Sequence, residues 1–186
     1  MKRRTFLLGL AACPVALCAC DISARPDAKP TDKTVAELQN DWKFLYAGDP
    51  QAASSLEPVR KTEAQWKSEL TDLEFSVLRE EGTERPFSSP LNEEKRSGVY
   101  ACAGCALPLF TSKMKFDSGT GWPSFFTSIP NHLATKTDYR LVWPRTEYHC
   151  VRCGGHQGHV FDDGPPPTGQ RWCNNGVALK FIPAKV

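Results

Sequence analysis

Two Cys-x-x-Cys pairs constrain this chain more than any other feature. Cys102 and Cys105 form the first, within Tyr100-Ala-Cys-Ala-Gly-Cys, and Cys150 and Cys153 form the second, within His149-Cys-Val-Arg-Cys-Gly-Gly; 44 residues lie between them. A tight turn between two thiolates lets backbone N–H groups point at sulfur, so each pair can chelate one ion. Gly104 and Gly154-Gly155 supply the backbone freedom such turns need. Two pairs together close a tetrahedral four-sulfur site with no open position, which makes the metal structural. Zinc is favoured, with iron the other metal for four sulfurs. The long gap means that the ion pins two distant segments. Competing arrangements are two separate disulfides, four buried thiols, or His149 in place of one cysteine. Disulfides within such short pairs are strained.

Only five of the eight cysteines lie in the body of the chain, because Cys13, Cys18 and Cys20 belong to its start. Residues 1–20 read as an export signal. Lys2-Arg3-Arg4 is followed by a short apolar run from Phe6 to Ala19, and no acidic residue occurs there. The run is shorter than the roughly 20 apolar residues that span a bilayer. Arg3-Arg4-Thr5-Phe6-Leu7 resembles a twin-arginine signal, and Leu17-Cys18-Ala19-Cys20 resembles a lipobox with Cys20 as the acylated residue. An ordinary signal with incidental cysteines is the simpler alternative. The expected location is the periplasm or a lipid anchor at the envelope of a bacterium. Without these residues the charge balance is 20 basic to 21 acidic, and even the full net charge of +2 gives no argument for nucleic acid.

The expected organisation is a signal at 1–20, a linker or N-terminal extension at 21–60, and one domain at 61–186. Residues 21–34 are rich in Pro, Asp and Lys and read as a tether. Val35 to Leu45 can form short helices broken at Asp49-Pro50; docking on the domain and partial disorder both remain open for 35–60. Residues 63–81 read as helical, starting at Thr62, with a second start at Thr71 and a stop at Gly82. From Gly98 onward strand-sized runs alternate with turn residues, which predicts antiparallel β structure. Val99–Cys102, Tyr139–Trp143, Glu147–Cys150, His159–Phe161 and Arg171–Phe181 are the candidate strands.

Cys173 is the cysteine left over, in Arg171-Trp-Cys-Asn-Asn-Gly. Alternation along a strand would put Arg171, Cys173 and Asn175 on one face. A cation beside a thiol favours thiolate, and an amide can bind a polar substrate oxygen. A buried structural cysteine is the plainer reading of Cys173 alone. His156 and His159, in Gly155-His-Gln-Gly-His-Val-Phe, are free for proton donation if four cysteines close the metal site. In Asp117-Ser-Gly-Thr-Gly-Trp-Pro-Ser-Phe-Phe, Trp122 and Phe125 can wall an apolar pocket or fill the core.

These stretches, with Leu78-Arg-Glu-Glu-Gly-Thr-Glu-Arg-Pro-Phe and Gly155-His-Gln-Gly-His-Val-Phe-Asp-Asp-Gly-Pro, occur in an order that resembles the B-type methionine-R-sulfoxide reductases over residues 63–183. The resemblance implies a mainly β (α+β) fold, two antiparallel sheets in a β-tent-like arrangement, short N-terminal helices and one zinc on Cys102, Cys105, Cys150 and Cys153. It implies that Cys173 attacks a sulfoxide sulfur and becomes a sulfenic acid. His159 would be the chief acid, aided by His156 and Asn175. Asp163 and Arg171 would orient and charge the site. Trp122 would pack the substrate methyl, with Phe125 and Phe161 as further substrate-binding residues. Oxidised methionine in proteins or peptides is the implied substrate. In many members a resolving cysteine precedes Gly-Trp-Pro-Ser-Phe, but here that position is Thr120. A one-cysteine cycle follows, with a thioredoxin-like protein or small thiol as external reductant, in an expected monomer. A zinc-dependent binding module with a structural Cys173, and a thiol peroxidase, are the rival readings.

Overall fold

The computed structural model describes residues 32–139 and 143–185. The expected export signal, with Cys20, lies outside these residues. Five short helices come first: α1 (Asp32–Asn40), α2 (Trp42–Leu45), α3 (Pro50–Ala53), α4 (Glu63–Glu69) and α5 (Asp72–Glu80). Nine strands follow: β1 (Gly98–Cys102), β2 (Pro108–Thr111), β3 (Lys115–Phe116), β4 (Ser124–Phe125), β5 (Leu133–Asp138), β6 (Arg145–Cys150), β7 (His156–Phe161), β8 (Arg171–Asn174) and β9 (Leu179–Pro183). This is the expected mainly β architecture with short N-terminal helices.

Both helix starts read from the sequence are present, and both are capping boxes. Thr62 accepts from the backbone of Gln65, whose side chain returns to the Thr62 N–H; Thr71 and Glu74 repeat the pattern. Each box satisfies donors that a helix start leaves unpaired. The stop falls one residue before the expected glycine: Glu81 takes the left-handed conformation, with φ 58°. Leu73, at helical spacing from Trp66 and Leu70 in the sequence, is exposed because the break at Leu70 resets the helical phase.

The strands form two antiparallel sheets, one ordered β2-β1-β9 and one ordered β3-β4-β8-β7-β6-β5. Every residue of β1 is buried, so both faces of that strand are covered. The strand expected at 139–143 falls largely outside the described residues; its described ends, Tyr139 and Trp143, are exposed, and β5 ends at Asp138. One expected strand is corrected. The run from Arg171 to Phe181 is not continuous: β8 and β9 belong to different sheets, with a 3-10 turn at Gly176–Ala178 between them.

An aromatic core joins the two sheets. Phe110 stacks on Phe125 with centroids 4.0 Å apart, Tyr100 meets Phe125 edge-on at 5.0 Å, and Tyr148 packs against Trp172 at 4.9 Å. The N-terminal extension contributes to this core. Trp42 is buried against His132, and Gln39 and Asp41 bond to Thr127 and Lys113 of the domain. Residues 35–60 are therefore docked, and the part from α1 onward is no tether.

Candidate active site and metal centre

The four paired cysteines come together. Their sulfurs all lie within 4.8 Å of one another, with Cys102 Sγ 3.6 Å from Cys153 Sγ and Cys105 Sγ 3.5 Å from Cys150 Sγ. A tetrahedral zinc with bonds of ~2.3 Å separates its sulfurs by roughly 3.8 Å, so this cluster fits the ion. As bare thiols the four are in conflict: hydrogen bonds from Cys102, Cys105 and Cys150 pull the Cys153 thiol down, while that with Cys105 pushes Cys102 up. A dication resolves the conflict by accepting all four as thiolates. The first pair follows β1 and the second joins β6 to β7, so one zinc fastens the two sheets together. Gln157 extends the centre, donating from Nε2 to Cys102 Sγ at 3.4 Å. Its Oε1 accepts from Asn174 Nδ2 at 3.4 Å, and its backbone carbonyl accepts from the Asn175 N–H at 2.8 Å.

Register in the large sheet determines which side chains meet. Ser124 pairs with Cys173, Cys173 with His159, His159 with Glu147, and Asp138 with Arg145. Alternation then puts Ser124, Cys173, Arg171, His159, Phe161, Glu147, Arg145 and Asp138 on one face. The opposite face carries Phe125, Trp172, Asn174 and Tyr148 toward the core. Strands β7 and β8 need Gly158 for this approach, since a Cβ there would collide with the Cys173 carbonyl.

Cys173 is half-buried, and its thiol feels opposing influences. Burial pushes it up, while the charge of Arg171 and hydrogen bonds from Thr120 and Arg171 pull it down. Arg171 is held by two partners. Its Nε and Nη2 donate to Asp163 at 2.8 and 2.9 Å, and its guanidinium lies 4.3 Å over the ring of Phe161. Asp163, expected to orient and charge the site, meets Arg171 through this fork.

His159 faces the sulfur from the neighbouring strand. Burial pushes its imidazole down, and the hydrogen bond with Asp138 Oδ2, at 2.8 Å, opposes that effect. Arg145 closes the group, donating to the same Asp138 oxygen at 2.6 Å. His156 lies behind, its ring 5.5 Å from that of His159. Its Nδ1 is 2.6 Å from Glu147 Oε1, and its buried Nε2 has no partner among the described residues. Burial pushes the Glu147 carboxyl up, but hydrogen bonds with His149 and His156 outweigh it and bring it to about 2. His149 is thereby engaged by Glu147 and is not among the clustered metal ligands.

Two expected site residues are placed elsewhere. Phe125 is fully buried in the core, because it pairs with Trp172 and so points away from Cys173. Asn175 does not continue the alternation, because β8 ends at Asn174. Its carboxamide accepts from the Glu84 N–H at 3.0 Å and donates to the Gln157 carbonyl at 3.1 Å, so it holds the frame of the site. Trp122 is half-buried, with its indole N–H donating to the Glu84 carbonyl at 3.2 Å. Glu84 thus ties three elements, since its carboxylate also accepts from the Gly176 and Val177 N–H groups. Sequence reasoning missed Glu84, Asp138, Arg145 and Glu147. The alternation Arg145-Thr-Glu147 beside the second cysteine pair was the one available signal.

Among the described residues one cysteine stands outside the metal cluster, between an arginine and a histidine on the sheet that the cluster fastens, an arrangement suited to thiol chemistry. Residues 70–183 match the family model described as SelR domain. The chain is 48% identical over 126 residues to a protein of Agrobacterium fabrum named peptide methionine sulfoxide reductase MsrB, covering 67% of this chain and 93% of that one. It is 52% identical over 124 residues to one of the same name from Methanosarcina barkeri, covering 66% and 87%. With the chloroplastic peptide methionine sulfoxide reductase B1 of Arabidopsis thaliana it shares 47% over 132 residues, covering 70% and 65%. The chain belongs to the SelR-domain family, that of the MsrB-type peptide methionine sulfoxide reductases.

Proposed function

We propose that this chain reduces methionine-R-sulfoxide in proteins or peptides to methionine, with Cys173 as nucleophile and His159 as proton donor. The observation that carries the reading is the pairing of Cys173 with His159 across β7 and β8, with Arg171 beside the sulfur. Sulfoxide oxygen leaves poorly until it is protonated, so a thiolate and an acid must act on either side of the S–O bond. Cys173 thiolate attacks sulfur, and His159 delivers a proton to oxygen. The S–O bond breaks, oxygen passes to Cys173 as a sulfenic acid, and methionine departs. The net change is thiol plus sulfoxide giving sulfenic acid plus thioether.

Trp122 packs the substrate methyl group, held at its indole by Glu84. His156 supports His159 from behind. Phe161 acts under the guanidinium of Arg171 rather than as a free wall. Zinc on Cys102, Cys105, Cys150 and Cys153 supplies structural bracing and no step. Two external thiols, from a thioredoxin-like protein or a small reductant, return Cys173 to thiol and release water and a disulfide. The other four thiols among the described residues all belong to the metal cluster, which supports a one-cysteine cycle.

The wild-type protein is expected to reduce the R sulfoxide of acetylated methionine and not the S sulfoxide. Mass spectrometry after substrate, without reductant, is expected to show Cys173 as sulfenic acid. Activity on the S sulfoxide alone, or a disulfide from Cys173 to another body cysteine, refutes the mechanism.

The place of action proposed from the leader is the bacterial periplasm or envelope, as a monomer, with a lipid anchor at Cys20 where the lipobox is used. Replacing Arg3 and Arg4 together by lysine is expected to retain the protein in the cytoplasm on cell fractionation. Unimpaired export of that variant refutes a twin-arginine route.

A further inference from the structure

Thr120 stands beside the reactive sulfur, and it does not stand alone. Its hydroxyl is among the influences that pull the Cys173 thiol down, and its Oγ1 lies 2.8 Å from Ser118 Oγ. Ser118 Oγ is in turn 2.8 Å from Ser124 Oγ, and Ser124 donates to the Trp122 carbonyl at 3.1 Å. The Thr120 N–H reaches Ser118 Oγ at 3.4 Å and fixes that serine in place. Positive φ at Gly119 and Gly121, 68° and 88°, folds the loop so that these hydroxyls meet. The outer end is anchored in the sheet, since Ser124 is buried and pairs with Cys173 across β4 and β8.

Resting on the proposed function, we infer that Thr120, Ser118 and Ser124 form a reversible hydroxyl relay that serves Cys173 both as thiol and as thiolate, with Thr120 as the positioning residue at the sulfur. A hydroxyl donates one hydrogen bond and accepts two, so a row of them can run in either direction. With a thiol, Cys173 donates to Thr120, Thr120 to Ser118, Ser118 to Ser124, and Ser124 to the Trp122 carbonyl. Deprotonation sends the thiol proton to solvent. The three O–H bonds then rotate, so that Ser124 donates to Ser118, Ser118 to Thr120, and Thr120 to the thiolate. No heavy atom moves, and no proton is lost from the row. A hydrogen bond to a charged acceptor is stronger than one to a neutral acceptor, so the reversed row favours the thiolate. Arg171 supplies charge at the sulfur; the relay supplies a donor that is present only when it is needed.

Alkylation of Cys173 by iodoacetamide, followed by mass spectrometry of its peptide on the zinc-loaded full chain from pH 5 to 10, tests this. The other titratable or charged groups around the sulfur are Arg171, Asp163, His159 and Tyr148, and none is changed. Thr120→Val is expected to slow alkylation at neutral pH roughly tenfold and to move the midpoint of the profile upward. Thr120→Ser is expected to restore the wild-type profile, and Ser118→Ala to give a smaller shift in the same direction. A Thr120→Val profile equal to wild type, a Thr120→Ser profile as slow as Thr120→Val, or no shift in Ser118→Ala overturns the inference. Ser118→Ala keeps Thr120 in place and carries the test if the valine variant does not fold. Absence of R-sulfoxide reduction by wild type would instead refute the proposed function, while the alkylation profiles would still report on the relay.

Discussion

Cys173→Ser is expected to lower R-sulfoxide reduction by roughly 10^4-fold or more, with zinc content and melting temperature unchanged. A serine hydroxyl at this position keeps the shape of the site but ionises far too weakly to attack sulfur. Steady-state assay with an external thiol reports the loss, and calorimetry reports the fold. Activity within tenfold of wild type would remove Cys173 from the mechanism. The pH profile sharpens the test. Burial pushes the Cys173 thiol up and the His159 imidazole down, so their reactive forms, thiolate and imidazolium, are each in the minority between the two values. Below the His159 value the imidazolium is complete, and activity falls as thiolate is lost. Above the Cys173 value the thiolate is complete, and activity falls as imidazolium is lost. A bell with both limbs is expected for kcat/KM. His159→Asn is expected to be slow, with activity that rises with pH to a plateau. A bell surviving in that variant would assign the acid elsewhere.

Zinc removal is the second large effect. Stripping the ion with a strong chelator under reducing conditions, or replacing Cys150 by serine, is expected to unfold most of the domain near 37 °C. Structural zinc contributes on the order of 10 kcal/mol in small zinc domains, which is comparable to the whole stability of a typical fold. Here the ion joins the first cysteine pair, after β1, to the second, between β6 and β7, so its loss parts two sheets rather than one turn. Calorimetry with measured zinc content decides the point. An apo chain that melts with the zinc-loaded one would show that the core alone holds the sheets.

Local chemistry made some of this legible in the sequence. Thiol pairs must be satisfied near their own turns, and Thr62 and Thr71 announce their helix starts within four residues. Cys173 stood out because the other four thiols had an evident use. Pairings that depend on strand register were not legible. Asp138 reaches His159 from a strand 21 residues away. Phe125 and Asn175 lie off the expected face for the same reason. A face is assigned by alternation only while a strand lasts and only once its partner is known. Phe125 aligns with Trp172 rather than Cys173, and Asn175 lies one residue beyond the strand. Glu84 was hidden differently: its work is done by capping distant backbone N–H groups, which leaves no pattern in its own segment.

Gln157 touches the metal centre through Cys102 and the strand of Cys173 through Asn174 and Asn175. An enzyme that answers oxidative damage works where its own metal thiolates are at risk. Oxidation of those sulfurs and loss of the ion would remove the anchor of Gln157, and the register that sets His159 opposite Cys173 is expected to go with it. A molecule damaged in this way is expected to stop as a whole rather than go on forming sulfenic acid in a slackened site, where that group could couple to whatever thiol came near.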